Sequence, residues 1–328
     1  MALNRVCGQA VARSLLNGIV RSGKVAHAYL FCGPDGTGKS LAAREFVKAV
    51  NCEKGESPGD ACDTCSSCAR IESGNHPDLI VIETDGQSIK IDQARAALKH
   101  IAYRPLEARS KAVIIKRADL MTAEAANCLL KGLEEPPGYC VFVLTAPGAA
   151  SVLPTVASRC QVVPFSACTV EEVRSYLEYR HPGEESRCRA AAFWSGGVPG
   201  KGDLFFDEGF LKVRDAARAA LENMKTLDVI GFAGEIGKDG APLFLECLES
   251  LMRDMLVLGC GAPESLLANP DLREDLGRTL ETWTPGGTAR AFDQVTRTRA
   301  AVEANAARRL ALEVMLLKLQ ADVLGGYN

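Results

Sequence analysis

The order of elements along this chain predicts an α/β domain with a mostly parallel sheet, followed by an all-helical remainder. Three observations carry that expectation. Short apolar runs at "AHAYLFCG" (26–33), "DLIVIET" (78–84), "KAVIIKRAD" (111–119), "YCVFVLTA" (139–146) and "CQVVPF" (160–165) alternate with helical periodicities. The first of these runs opens into a glycine-rich loop, "CGPDGTGKS" (32–40). Beyond Phe165 the strand signal stops, while apolar residues keep recurring every three to four positions.

Each element has its own justification. Residues 3–22 read as a helix from the spacing of Val6, Ala10, Leu15 or Leu16, and Ile19. After the loop, "SLAAREFVKAV" continues as a helix, and "KIDQARAALKHIAY" (90–103) is another. "TAEAANCLLKGLEE" is a third, stopped by Pro136 and Pro137. Residues 51–69 are polar and rich in Gly, Asp and Cys, which predicts an insertion. Residues 169–205 read as a small helical unit that turns through "SGGVPGKGD". From Asp207 onward helices are expected, broken at "GKDGAP", "GAPES" and "WTPGG", with one long final helix over about 289–323. The expected boundaries are 1–166, 167–206 and 207–328.

At 328 residues the chain is long enough for two or three cores, and 47% hydrophobic with 24% charged residues is an ordinary globular balance. A net charge of -3 excludes bulk electrostatic attraction to DNA or anionic lipid as the leading property. No apolar run approaches the ~20 residues of a membrane span. The charged amino terminus lacks a signal-type apolar core, so a cytoplasmic protein without membrane contact is expected. Thirteen cysteines are present, most of them isolated among apolar neighbours as small buried hydrophobes.

The loop completes the pattern G-x-x-x-x-G-K-S. Gly33, Gly36 and Gly38 leave backbone N–H groups free to converge on phosphate oxygens around Thr37. Lys39 supplies charge to the terminal phosphates, and Ser40 offers a hydroxyl to Mg²⁺ at the start of a helix. This is a site for ATP or ADP, or the descendant of one; a chance glycine-rich turn is the plain alternative.

Hydrolysis asks for more: a carboxylate at a neighbouring strand end to hold the metal, and a group to position water. In "AVIIKRADLM" those places hold Lys116 and Arg117, which can do neither at neutral pH. Asp119 follows, and either compensates as the metal-handling acid or, in the plainer reading, caps the next helix or faces solvent. An efficient ATPase is therefore not expected.

Cys52, Cys62, Cys65 and Cys68 have the spacing of a closed tetrahedral Zn²⁺ site, structural because no coordination position stays open. Free thiols on a loop are the alternative. Arg159, in "SRC" (158–160), is either an arginine offered to a nucleotide on a neighbouring subunit or half of a surface ion pair.

Taken in order, "GQAVARSLLNGIVRSGKVAHAYLFCGPDGTGKS", the four cysteines, "HPD", "ANCLLKGLEEPP" and "LPTVASRC" resemble the AAA+ subunits of the bacterial DNA polymerase III clamp loader. The resemblance covers the first ~165 residues. It implies an AAA+ P-loop NTPase domain with a parallel sheet, a small helical lid domain and a carboxy-terminal helical collar. It is the delta-prime subunit, which does not hydrolyse ATP, that the departures favour. The hydrolysing gamma/tau type carries Asp-Glu where Lys116 and Arg117 stand, and a nucleotide-sensing arginine at or near Gly200, beside Lys201. The resemblance further implies that Gly33, Gly36, Thr37, Gly38, Lys39 and Ser40 bind nucleotide, with Thr145 at the sensor position. It makes Arg159 an arginine finger acting in trans. It implies gamma/tau and delta subunits as partners, and the sliding clamp and primer-template DNA through the complex. An active gamma/tau-type ATPase, or a zinc-containing scaffold with a relic loop, are the competing expectations.

Overall fold

The computed structural model describes residues 2–54, 60–84, 88–304 and 306–323. The expected insertion is described except for its residues 55–59. In chain order the elements are α1 (Ala10–Ser22), β1 (Ala28–Cys32), α2 (Lys39–Asn51), α3 (Ser66–Glu72), β2 (Leu79–Ile82), α4 (Ile91–Ile101), β3 (Lys111–Ile115), α5 (Ala123–Glu134), β4 (Cys140–Ala146), α6 (Pro154–Ala157) and β5 (Gln161–Pro164). There follow α7 (Val170–Arg180), α8 (Glu185–Trp194), α9 (Pro199–Gly202), α10 (Glu208–Glu222), α11 (Val229–Gly259), α12 (Arg273–Leu280), α13 (Pro285–Glu303) and α14 (Arg308–Val323).

The chain forms two compact units. One comprises 1–176 with 197–200, the other 177–196 with 201–328. In the first, the five strands pair in parallel in the order β2-β3-β4-β1-β5. The central strands are apolar on both faces because helices cover both faces, and alternate residues serve opposite cores. Leu30, Val113, Ile115, Phe142 and Leu144 pack with Ala97 of α4 and Leu129 of α5. Tyr29, Phe31, Ile114, Val141 and Val143 pack with Leu16 of α1 and Phe46 of α2. Every crossover delivers its strand's carboxyl end to the same edge, so the loops after β1, β3 and β4 meet there.

The first helix is shorter than its periodicity suggests. A 3-10 turn at Ala2–Arg5 precedes it, and Gly8, with φ +64°, separates the two.

The second unit is helical throughout its described residues. Trp194, Phe205 and Phe210 form an aromatic cluster with ring centroids 4.7–5.5 Å apart. Arg214 is buried, and its guanidinium is shared between Asp271, at 2.8 Å, and Asn269.

Two expectations need correction. The final helix is not continuous: α13 ends at Glu303 and α14 starts at Arg308, with the N–H of Ala306 returning to the carbonyl of Ala301. Alanine-rich sequence is compatible with helix throughout, so its periodicity hides the turn. The break expected at "GKDGAP" narrows to Gly237 alone, at φ 65° and ψ -177°, and helical geometry resumes through Pro242. Among the described residues no helix is long and apolar enough to cross a membrane.

Candidate functional site

The glycine-rich loop leaves the carboxyl end of β1 and enters α2 at Lys39. Gly38, at φ 91°, turns the chain into the helix, and its carbonyl takes the N–H of Ala42 at 2.8 Å. Thr37 is buried and donates its hydroxyl to the carbonyl of Pro34 at 2.7 Å, bracing the loop from within. Ser40 occupies the first turn of α2, where a hydroxyl would face a metal-bound phosphate.

Lys39 is buried and engaged by the loop itself. Its Nζ donates to the carbonyls of Gly33 at 2.5 Å and Pro34 at 2.8 Å, and to Asp35 Oδ1 at 3.2 Å. Phosphate oxygens would have to compete with these acceptors for the same ammonium.

The two residues after β3 have different fates. Lys116 turns to Glu83, 2.6 Å away at the end of β2. Arg117 sits in the left-handed region at φ 53°, with its N–H donating to Thr145 Oγ1 at 3.1 Å. Thr145 lies on β4 opposite Phe31 of β1, so the expected sensor residue is fixed beside the strand that feeds the loop. The Arg117 guanidinium reaches both ways. Nε and Nη2 hold the Asp119 carboxylate at 2.8–3.1 Å, and Nη1 meets Asp35 Oδ2 at 2.9 Å. The hydrogen bonds it donates to Asp119 hold Arg117 even more firmly protonated than usual. Asp119 is therefore neither a helix cap nor a solvent-facing acid, as expected above. It is the anchor of Arg117, and its oxygens are already occupied. Asp35 escaped notice in the sequence because the variable positions of the loop pattern specify no residue type.

The stretch "VPG" (198–200) packs on this loop. Gly200 N–H donates to the Gly36 carbonyl at 3.0 Å, and Val198 lies where a Cβ on Gly36 would fall 2.6 Å from its Cγ1. Gly36 has φ +81°, so both its backbone and its surroundings require glycine. A Cβ on Gly200 would come within 3.1 Å of the Gly36 Cα and carbonyl oxygen. A side chain at 200 would therefore press on the same backbone that this stretch contacts over the loop.

The four cysteines converge. Their Sγ atoms lie within 4.8 Å of one another, Cys52 at the end of α2 and the others around the start of α3. The N–H of Cys65 donates to Cys62 Sγ at 3.3 Å and that of Cys68 to Cys65 Sγ at 3.4 Å, the hydrogen bonds that a thiolate-ligated metal receives from its loop. The Thr64 side chain and backbone pull the Cys62 thiol down to about 6, whereas burial pushes Cys68 up. Four sulfurs, with no fifth donor grouped with them among the described residues, suit a soft ion in a closed tetrahedron.

A buried ionic knot ties this cluster to α2. Lys48 is 1% exposed and contacts Asp63 at 2.5 Å, Glu72 at 2.7 Å and Glu45 at 3.1 Å. Burial alone would favour the neutral amine, but the hydrogen bonds it donates to Asp63 and Glu72 hold it charged. Strand β2 is joined to the same region through His76, whose Nε2 lies 3.4 Å from Ser67 Oγ.

Arg159 stands apart from these groups in the loop after α6. Nη2 pairs with Glu134 Oε1 at 2.5 Å and Nη1 donates to the carbonyl of Thr155 at 2.8 Å, with the side chain 34% exposed. Within the chain, then, it is half of a surface ion pair.

Residues 8–169, the loop, sheet and cysteine cluster together, match the family described as DNA polymerase III, delta subunit. The delta-prime subunit of DNA polymerase III from Bacillus subtilis is 44% identical over 163 residues, which is 50% of this chain and 49% of that one. The chain belongs to the delta-prime clamp-loader family. Its relation to the tau subunits is lower: that of Escherichia coli is 36% identical over 175 residues, 53% of this chain and 27% of the relative. The chain thus spans about half or less of the length of the curated relatives it matches. A solved DNA polymerase III gamma subunit-related protein from Thermotoga maritima shares the fold across 95% of this chain and 99% of its own, with a TM-score of 0.50 at 20% identity. The fold of a parallel α/β unit followed by helices is thus shared over 95% of this chain.

Proposed function

We propose that the chain acts as a delta-prime-like subunit of the DNA polymerase III clamp loader, one that does not hydrolyse ATP itself. The observation that carries this reading is the end of β3. Lys116 is paired with Glu83, Arg117 spans Asp35 and Asp119, and the metal-handling carboxylates that hydrolysis needs are replaced by cations. Arg159 serves as an arginine finger for the nucleotide of a neighbouring gamma/tau subunit. Its partly exposed ion pair with Glu134 is a modest interaction that a phosphate of higher charge can displace. Gamma/tau and delta subunits are the partners, and through them the sliding clamp and primer-template DNA. In this reading residues 167–206 form the lid, 207–328 the collar that holds the ring together, and the protein works in the cytoplasm.

Cys52, Cys62, Cys65 and Cys68 hold a structural Zn²⁺, for which their donor set and closure fit. ATP or ADP with Mg²⁺ occupies the phosphate loop, with Lys39 exchanging the carbonyls of Gly33 and Pro34 for phosphate oxygens. The complete loop pattern also favours a second reading, an active gamma-type ATPase. Nucleotide-binding calorimetry paired with a hydrolysis assay on the isolated chain separates the possibilities. Binding without turnover supports the proposal. Robust turnover by the isolated chain sinks it, and absence of binding makes the loop a relic while leaving the role of Arg159 intact.

A further inference from the structure

We infer that Cys7 and Cys168 form a peroxide-responsive dithiol site, a reversible modification site separate from the four-cysteine cluster and independent of the clamp-loader reading. The two residues are 161 positions apart, yet Cys168 Sγ donates to the carbonyl of Cys7 at 3.4 Å. It also lies 2.6 Å from where a Cβ on Gly8 would stand, against the Cys7–Gly8 peptide itself. Cys7 Sγ points into the same junction, donating to the carbonyl of Glu172 at 3.3 Å, one helical turn beyond Cys168.

Gln9 holds the junction together. It is 3% exposed, donates from Nε2 to the Ser166 carbonyl at 2.7 Å and accepts the Ser166 N–H at 3.1 Å. The same Nε2 lies 3.6 Å from Cys168 Sγ. The neighbouring Cys7 side chain first, and the Gln9 amide after it, draw the Cys168 proton off more easily than in a free cysteine. Cys7 is only partly covered, whereas Cys168 is 9% exposed, so a small oxidant reaches the pair and a large disulfide reagent does not.

The chemistry balances with one hydroperoxide. The Cys168 thiolate attacks a peroxide oxygen; the S–O bond forms, the O–O bond breaks, and the departing hydroxide leaves as water after taking a proton from solvent. The Cys7 sulfur then attacks the sulfenyl sulfur of Cys168. An S–S bond forms, the S–O bond breaks, and the leaving hydroxide takes the Cys7 proton as a second water. Two thiols are oxidised and one peroxide is reduced.

The position gives the bond a consequence. Cys7 follows Val6, which lies where a Cβ on Gly38 would fall 3.1 Å from its Cγ1. The N–H of Cys168 donates at 2.7 Å to the carbonyl of Gly197, the residue just before the stretch that packs on Gly36. A disulfide would therefore stitch together two segments that each touch the phosphate loop.

The test is mild hydrogen peroxide treatment of the full unmutated chain, then alkylation and non-reducing peptide mass spectrometry. The expected result is one bridged peptide joining Cys7 to Cys168, lost on reduction with dithiothreitol, and a higher melting temperature for the oxidised protein. In Cys7→Ser, dimedone should label Cys168 as the trapped sulfenic acid. Recovery of both thiols alkylated, under conditions that oxidise the exposed Cys260, overturns the inference. So does either sulfur paired elsewhere, or Cys168 in the variant unlabelled while Cys260 reacts.

Discussion

Arg117 and Asp35 close an ion pair across the mouth of the phosphate loop, Nη1 to Oδ2 at 2.9 Å, while Lys39 holds the other Asp35 oxygen at 3.2 Å. One carboxylate thus draws two cations that a nucleotide phosphate would also seek. Asp35 is 53% exposed, so the pair contributes little stability, on the order of 0–1 kcal/mol. Removing the carboxylate frees both donors and removes a negative charge from the phosphate position. Asp35→Asn should leave the melting temperature nearly unchanged and tighten ADP binding by about tenfold, the equivalent of ~1.4 kcal/mol. Titration calorimetry of the two proteins decides, and weaker binding by the variant would show that Asp35 belongs to the site rather than competing with it.

Arg159 offers a sharper contrast between stability and activity. Its pair with Glu134 is partly exposed, so Arg159→Ala should change the stability of the chain by less than about 1 kcal/mol. In the reconstituted loader the same change should cut ATP turnover by roughly 10³–10⁵ with assembly intact, the range seen when arginine fingers are lost. Glu134→Gln, which only releases the arginine, should alter turnover no more than a few-fold. Equal turnover of Arg159→Ala and the unmutated complex removes this residue from the mechanism.

What the sequence made legible was local. The strands stand out because β3 and β4 are buried along their whole length, which demands unbroken apolar runs. The cysteine cluster is legible because three of its ligands are three residues apart, and the loop because its glycines follow a strand. The break between α13 and α14 was hidden, since Ala300, Ala301, Ala304, Ala306 and Ala307 satisfy a helix on either side of it. The Arg117–Asp35 contact was hidden for another reason. It joins positions 82 apart that meet only because β3 and β1 flank β4 in the sheet. The same applies to Gly200 and Gly36, where the resemblance implied a missing arginine and the packing brings the two backbones into close contact.

The metal cluster should support α2 beyond its own loop. Asp63 lies between Cys62 and Cys65, and Glu72 ends α3, so two of the three carboxylates around buried Lys48 depend on the cluster staying folded. Removing their frame leaves the buried ammonium with Glu45 as its remaining carboxylate, a loss of about 1–3 kcal/mol. Elemental analysis should find one zinc per chain, and Cys65→Ser should lower stability by that amount. Lys48→Met should narrow the penalty in the Cys65→Ser background, because it removes the stranded charge. An unchanged melting temperature on metal removal would make the cluster dispensable to the fold.

Acid sensitivity should come from two histidines before it comes from the buried carboxylate. Burial lowers the affinity of His76 and His100 for a proton below the ordinary imidazole value of 6.5, with Asp78 opposing this at both and Lys111 reinforcing it at His100. The unfolded chain therefore binds those protons more readily. Stability is fully present above 6.5 and falls as pH drops through that value towards the lower folded values. Asp78 behaves differently. Burial alone would raise it, but the N–H groups of Ala108, Glu107 and Leu106, at 2.8–3.0 Å, together with Lys111, hold it below its ordinary 3.8. Its contribution persists to pH values below that of a free carboxylate and disappears only as pH falls through its folded value. Thermal melts between pH 8 and 5 should accordingly decline below about 6.5, and His76→Gln combined with His100→Gln should flatten the decline. Asp78→Asn should instead destabilise by about 2–4 kcal/mol across that entire range, because the amide replaces a charged acceptor that three N–H groups share. Metal content measured on the same samples separates this proton linkage from acid release of zinc. If the double variant keeps the full slope while its zinc remains bound, the histidines are not its source.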